Sequence, residues 1–402
     1  MVFDGAAEYY GTSINKHLLK GPNYLVNLLG VLLRFRRAPV PICADIEKMY
    51  HQVRLAPEDR EAFRFIYRPP GTTGPPLTYQ MLVHVFGAVS SPATCLFAMS
   101  RAVEENRIQF PEADKIVKSS FYVDNMLASF ETESEALNGA RQVHAALATR
   151  GFNLTQWMTS SRKLLTELKP FGLAAPTLNI DFDELPTERT LGILWDSNSD
   201  SYVFRVLFNV DQSAKPTKSD FLSVISRVYD PLGFVSPVVF LMKVLMQDIW
   251  KLPISWGEEL PIELSRRLFE WYKGLSTLEG IRLPRKLRNQ NIDAVRCQRL
   301  RVFTDASSTG FGVVIYQCTY YNDDSVEVAF VVSKTRVAPL KQRTIPELEL
   351  KGACEGVDLV KTVITELSMD MRDVTFHTDS ETVLKWIQSK NGKLSVFVGN
   401  RI

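Results

Sequence analysis

Apolar and polar positions alternate through Val40, Ile42 and Ala44, which predicts a strand running out into the acid Asp45. Two β-prone runs, Phe121-Tyr122-Val123 and Met126-Leu127-Ala128, flank Asp124-Asn125 and read as a hairpin with its acid at the tip. A helical pattern covers Tyr24 to Phe35. Another covers Glu133 to Arg150, stopped by Gly151, with a strand following over Phe152 to Trp157. From about Leu164 to Pro284 the chain is broken by Pro170, Pro176, Pro186, Pro216, Pro231, Pro237, Pro253 and Pro261, as in a connector with helices of its own. Beyond Arg296 the pattern is strand, glycine turn and strand over Val302 to Tyr316, then a strand from Val326 to Val332. A long helix from Glu347 to Leu367 comes next, then a strand from Val374 to Thr378 and a helix from Glu381 to Ser389 capped by Ser380. In the long helix Leu350, Ala353, Val357, Val360, Ile364 and Leu367 recur at helical spacing, which predicts one face buried against a sheet. The pattern predicts an α/β and α+β multidomain chain.

At 402 residues there is room for two or three domains, and 45% hydrophobic with 23% charged residues excludes a disordered majority. The net charge of +2 says little about partners, so a nucleic-acid groove has to come from local clusters. Arg34, Arg36 and Arg37 form one candidate; Arg282, Arg285, Lys286 and Arg288 form another. The five cysteines include no close pair, which argues against a zinc knuckle or a disulfide framework and for a reducing, intracellular setting. The apolar stretch from Leu25 to Leu33 is too short to span a bilayer, so no membrane role is expected. Trp250, Trp256 and Trp271 read as core residues before base-stacking ones.

The acids change the picture. Joining nucleotides calls for two divalent cations about 4 Å apart, held by hard oxygen ligands, and carboxylates on adjacent strand ends are a compact way to supply them. Asp45 and Asp124 meet that description if their strands pair, although turns favour acids for simpler reasons. Ala44-Asp45-Ile46-Glu47-Lys48-Met49-Tyr50, Phe86-Gly87-Ala88-Val89-Ser90-Ser91-Pro92 and Phe121-Tyr122-Val123-Asp124-Asn125 resemble, in order, three palm motifs of reverse transcriptases. Together with His17-Leu18-Leu19-Lys20-Gly21-Pro22, they resemble the BEL/Pao class of long-terminal-repeat retrotransposons.

That resemblance implies a reverse-transcriptase palm over 1–165, with Asp45, Asp124 and the main-chain carbonyl of Ile46 holding Mg²⁺ or Mn²⁺. It implies that Tyr50 packs under the incoming sugar, and that Gly87, Ser91 and Pro92 shape the floor beneath template and nucleotide. Asn125 stands where the family usually carries a second aspartate. The implied partners are an RNA template, a DNA primer, an RNA–DNA hybrid, deoxynucleoside triphosphates and other Pol segments such as integrase. The implied setting is the cytoplasm.

Asp305 in Val302-Phe303-Thr304-Asp305 precedes a glycine turn, Glu349 lies on the long helix, and Asp379 ends a strand. Singly these read as a turn acid, a helix charge and a helix-start acid. In this order they resemble ribonuclease H, which implies that all three are catalytic metal ligands over 293–402. Glu347 stands at the family's arginine position in Ile345-Pro346-Glu347-Leu348-Glu349-Leu350. A fourth acid and a fingers segment are expected to fall outside the chain. The intervening 166–292 resembles the thumb and connector, sometimes labelled a Pao peptidase, yet Asp-Thr-Gly and Asp-Ser-Gly are both missing from the sequence. The expected function is RNA-directed DNA polymerase with ribonuclease H. The alternatives are a decayed or domesticated nucleic-acid-binding remnant and, further off, an aspartic peptidase.

Overall fold

A computed structural model describes residues 2–175, 187–190, 193–205, 215–389 and 394–402. The expected breaks at Pro176 and Pro186 lie outside the described residues. The chain forms two compact units, one of Met1–Val31 with Val40–Asp183, the other of Leu32–Pro39 with Glu184–Ile402. No helix among the described residues is long and apolar enough to cross a membrane.

The elements run α1 (Ile14–His17), α2 (Leu28–Phe35), β1 (Val40–Ile46), β2 (Arg64–Tyr67), β3 (Leu77–Gln80), α3 (Ser91–Glu105), α4 (Pro111–Ser120), β4 (Phe121–Tyr122), β5 (Asn125–Phe130), α5 (Glu133–Ala148), β6 (Leu154–Met158) and α6 (Arg162–Leu168). The helix expected from Tyr24 begins at Leu28, because the Asn27 side chain accepts from the Leu29 N–H and fixes the start there. The first unit is organised around an antiparallel sheet in the order β4-β5-β1-β6. Strand β1 is buried on both faces through Pro41, Ile42, Cys43 and Ala44, so its apolar run is nearly continuous until Asp45. Asp45 pairs with Asn125 across the β1–β5 ladder.

The second unit continues with β7 (Thr187–Thr190), β8 (Ile193–Asp196), β9 (Ser201–Val203), α7 (Lys218–Ser226), α8 (Ser236–Trp250), α9 (Ile262–Gly274), β10 (Arg282–Pro284), β11 (Val295–Ala306), β12 (Gly310–Tyr321), β13 (Val326–Val337), α10 (Ile345–Leu367), β14 (Val374–His377), α11 (Glu381–Gln388) and α12 (Val396–Gly399). A small sheet is ordered β10-β9-β8-β7, and a larger one β13-β12-β11-β14 with β14 parallel to β11. Helix α10 crosses the larger sheet on Gly352 and Gly356, where a methyl on Gly356 would sit 3.2 Å from the Thr304 side chain. Of the expected face Leu350, Val360 and Leu367 are buried, while Ala353, Val357 and Ile364 are half-buried; Leu348, Gly352, Gly356, Leu359 and Val363 are buried beside them. Leu350, Ala353 and Cys354 pack with Val383, Trp386 and Val398. The Ser380 side chain accepts from Val383 N–H, as a cap for α11.

Two expectations are corrected. Trp271 is core, but Trp250 and Trp256 are 44% and 54% exposed. Met242, Leu245 and Ile249 carry the inward face of α8, and Trp250, one step round from Ile249, lies off it against the edge of Trp256. Three members of the basic clusters are interior: Arg36, Arg285 and Arg288 are at most 2% exposed, while Arg37 and Arg282 are exposed. Arg36 donates to the carbonyls of Arg285, Phe330 and Val331, and Arg285 to Asp200 and to the carbonyls of Phe35, Ala38 and Pro39. Guanidinium groups here satisfy buried main-chain acceptors, which leaves them no face for a phosphate backbone. In the second unit Lys243 and Gln247 of α8 donate to the carbonyls of Thr335 and Ala338 beside the larger sheet.

Candidate functional site

Asp124 sits in the two-residue turn between β4 and β5, preceded by Val123 at φ 58°. A β-branched residue in the left-handed region is strained by about 1–3 kcal/mol, and the sheet around this turn holds it there. The Asp124 carbonyl accepts from the Ile46 N–H at 3.0 Å, locking the hairpin tip to the end of β1 where Asp45 projects. Asp45 is pushed up to about 6 by partial burial and then by the charge of Asp124. Burial also raises Asp124, opposed by hydrogen bonds from the main chain and from Asn125. The Asn125 side-chain amide donates to the Asp124 carboxylate at 2.9 Å and so occupies part of it.

Tyr50 lies in a short 3₁₀ turn after β1, half-buried, its ring edge-on to Phe86 at 4.5 Å. Burial and then Asp124 raise its phenol above the usual range. Gly87 follows Phe86 with φ +98°, and a methyl there would fall 1.6 Å from the Phe3 carbonyl oxygen, so only glycine fits. Ser91 is fully buried at the start of α3, donating to the Val85 carbonyl at 2.8 Å, and Pro92 occupies the first turn of that helix. Ser91 thus shapes the loop from beneath.

In the second unit β11 ends at Asp305–Ala306, β14 runs parallel to it, and α10 crosses behind. The carboxylates of Asp305, Glu349 and Asp379 lie within 4.8 Å of one another. Glu349 is 6% exposed, and one of its oxygens accepts from the Ala306 N–H at 3.2 Å. The other is buried with no hydrogen-bond partner. Burial raises the Glu349 carboxyl, with Asp305 and Asp379 adding to the shift and the Ala306 N–H opposing it. An orphaned carboxylate oxygen facing two further acids is what a hard cation would satisfy. Glu347 is engaged elsewhere: with Thr344 it forms a capping box at the start of α10, and Arg343 approaches its carboxylate. A cavity of about 950 Å³ opens beside Asp305 and Asp379, walled by Phe303, Tyr316, Phe330 and His377.

A family model described as "Reverse transcriptase (RNA-dependent DNA polymerase)" matches residues 24–159, and one described as "Pao retrotransposon-like RNaseH-like domain" matches residues 217–380. The first stretch holds the Asp45–Asp124 pair and the second the three-acid cluster. The two matches together support a Pao-type retrotransposon Pol fragment. Its RNaseH-like match begins at 217, within the stretch that sequence patterning assigns to a connector. None of the curated proteins matches this chain. Among solved structures it is similar to a foamy viral protease-reverse transcriptase dRH in complex with ds DNA. The TM-score is 0.58 and the identity 16%, over 100% of this chain and 60% of that one, a likeness of fold. This chain thus spans about 60% of that protein's length. A foamy viral protease-reverse transcriptase in complex with RNA/DNA hybrid matches at TM-score 0.49 and 14% identity over 89% of this chain and 46% of that one, too distant to compare folds.

The Asn125 contact to Asp124 and the Asn15 contacts to the Gly87 loop are the site features that sequence reading missed. The first joins adjacent residues and follows from Asn chemistry; the second joins residues more than 70 positions apart and leaves no local signal.

Proposed function

We propose that this Pol chain performs RNA-directed DNA synthesis at Asp45 and Asp124 and hydrolyses the RNA of an RNA–DNA hybrid at Asp305, Glu349 and Asp379. The observation that carries the reading is the three-acid cluster, whose buried Glu349 oxygen lacks a partner. Mg²⁺ or Mn²⁺ held by these carboxylates supplies charge neutralisation and an activated oxygen nucleophile. In the palm, Asp45 and Asp124 hold the reacting end of a DNA primer against a deoxynucleoside triphosphate, with the Ile46 carbonyl as a further ligand. Tyr50, braced by Phe86, stands where a 2′-hydroxyl would arrive and excludes it by contact. Gly87, with Ser91 and Pro92 behind it, forms the floor under the base. In the second unit Glu349 is fixed by the Ala306 N–H, and exposed Asp305 and Asp379 complete the carboxylate set that would hold the cation. The ds DNA in the foamy viral relative supports a duplex partner. The same reading covers a palm over 1–165, a thumb and connector over 166–292, a ribonuclease H over 293–402, and an intracellular, cytoplasmic place of work beside an integrase segment.

One observation favours a second reading, a nucleic-acid-binding remnant without synthesis: the Asn125 amide occupies an Asp124 oxygen that a metal would need. Primer extension on poly(rA)·oligo(dT) with Mg²⁺ or Mn²⁺, beside hydrolysis of a labelled RNA–DNA hybrid, separates the two. Extension abolished by Asp45→Asn and hydrolysis abolished by Glu349→Gln support the enzyme. Hybrid binding with neither activity supports the remnant.

A further inference from the structure

We propose that Asn15 is a positioning residue for nucleotide binding, its side-chain amide holding the Gly87-Ala88-Val89 turn in the shape on which the incoming base rests. The inference rests on the polymerase reading above. Asn15 lies in α1, anchored by its neighbours Ile14 and Leu18, which pack against a cluster of Leu55, Phe63, Val85 and Ala88. From there its amide makes both bonds that a strand partner would make: Nδ2 donates to the Gly87 carbonyl at 3.0 Å, and Oδ1 accepts from the Val89 N–H at 2.9 Å. The Asn15 N–H in turn donates to the Gly5 carbonyl at 2.9 Å, and the Phe3 N–H to the Phe86 carbonyl at 2.8 Å.

The segment from Phe3 to Asn15 therefore straps the turn from Phe86 to Val89 across more than 70 residues of sequence. Ser91 supports the turn from its far side, through the carbonyls of Val85 and Ala88, and the strap fixes the Gly87 and Val89 groups that Ser91 does not reach. Gly87 is in a left-handed conformation that every other residue type resists, and glycine also loses the most freedom on being fixed. A donor and an acceptor on one planar amide freeze two neighbouring main-chain groups at once. Phe86, the first residue of the turn, braces Tyr50, so a displaced turn also releases the ring that screens the sugar.

The test measures binding of a fluorescent deoxynucleoside triphosphate to the full chain on a paired primer–template, with Ca²⁺ replacing the catalytic ion, for wild type, Asn15→Ala and Asn15→Asp. Affinity for the primer–template itself is measured in parallel. Asn15→Asp keeps the acceptor for Val89 but turns a carboxylate oxygen toward the Gly87 carbonyl, so it should bind nucleotide no better than Asn15→Ala. We expect nucleotide affinity to fall about 10-fold in both variants, primer–template affinity to stay within twofold, and exchange of the Val89 amide to quicken. Unchanged nucleotide affinity, or an equal loss of affinity for both ligands, overturns the positioning role and leaves the polymerase reading standing. A wild-type chain that binds no nucleotide overturns the polymerase reading and this inference with it.

Discussion

Replacing Arg285 by alanine should unfold the second unit at denaturant concentrations that the native chain survives. The Arg285 side chain is fully buried and forks onto Asp200, with Nε at 2.6 Å from one carboxylate oxygen and Nη2 at 2.9 Å from the other. It also donates to the carbonyls of Ala38 and Pro39, each at 3.0 Å, and to that of Phe35. Removing one partner of a buried pair costs about 3–5 kcal/mol because the other charge is left uncompensated. Each main-chain carbonyl stripped of its donor adds about 1–3 kcal/mol where water cannot replace it. Asp200 is 16% exposed and can recover some hydration, which offsets part of the total, so a net loss of about 4 kcal/mol is expected. Against a domain stability of about 5–15 kcal/mol that is a large share. The assay is hydrogen exchange against urea, read at the Arg285 and Leu287 amides, which bond to Asp200 O and Arg36 O. Arg285→Lys should restore less than half, since one ammonium cannot fork a carboxylate and reach three carbonyls as well. A loss under about 1 kcal/mol, the size of an exposed ion pair, would refute the interior role assigned to this arginine.

Asp45 gives a pH-dependent prediction. Its pKa is raised on folding to about 6, so it contributes stability below its unfolded value near 3.8 and loses it as pH climbs through about 6. Asp45→Asn measured in EDTA should therefore be more stable than wild type at pH 7.5, by on the order of 1–2 kcal/mol after solvent screening, with the gain vanishing toward pH 4. A gain that does not change with pH would remove the electrostatic explanation. Glu349→Gln should weaken Mn²⁺ binding to the second unit at least tenfold in titration calorimetry while α10 stays folded, because the capping box at Thr344 and Glu347 is untouched; unaltered Mn²⁺ affinity would exclude the cluster as a cation site. Gly87→Ala should lower the melting temperature and the affinity for nucleotide together, since the added methyl meets the Phe3 carbonyl. A variant with native nucleotide affinity would mean that the turn is free to move.

What the sequence discloses and what it hides divide along a physical line. Asp45, Asp124, Asp305 and Asp379 stand at strand ends or in tight turns, where period-two alternation stops and turn-forming residues begin, so pattern finds the positions while the resemblance supplies the roles. The strands of the larger sheet and the cap at Ser380 are legible for the same reason. Helix α10 shows the limit: apolar spacing finds Leu350, Val360 and Leu367, but it passes over Gly352 and Gly356, which are buried with Thr304 as a neighbour. A hydrophobic period records which residues are apolar and is blind to a face chosen for smallness. The arginines show it more sharply. Arg36 and Arg285 are charged and close to other basic residues, which in a one-dimensional reading means a surface for phosphates. They are interior because carbonyls from Phe35, Ala38, Pro39, Phe330 and Val331 need donors, and those acceptors come from segments nearly 300 residues apart in sequence. Demand for a donor is a property of the folded backbone. Residues that answer it, Asn15 among them, become visible only when the chain has closed around them.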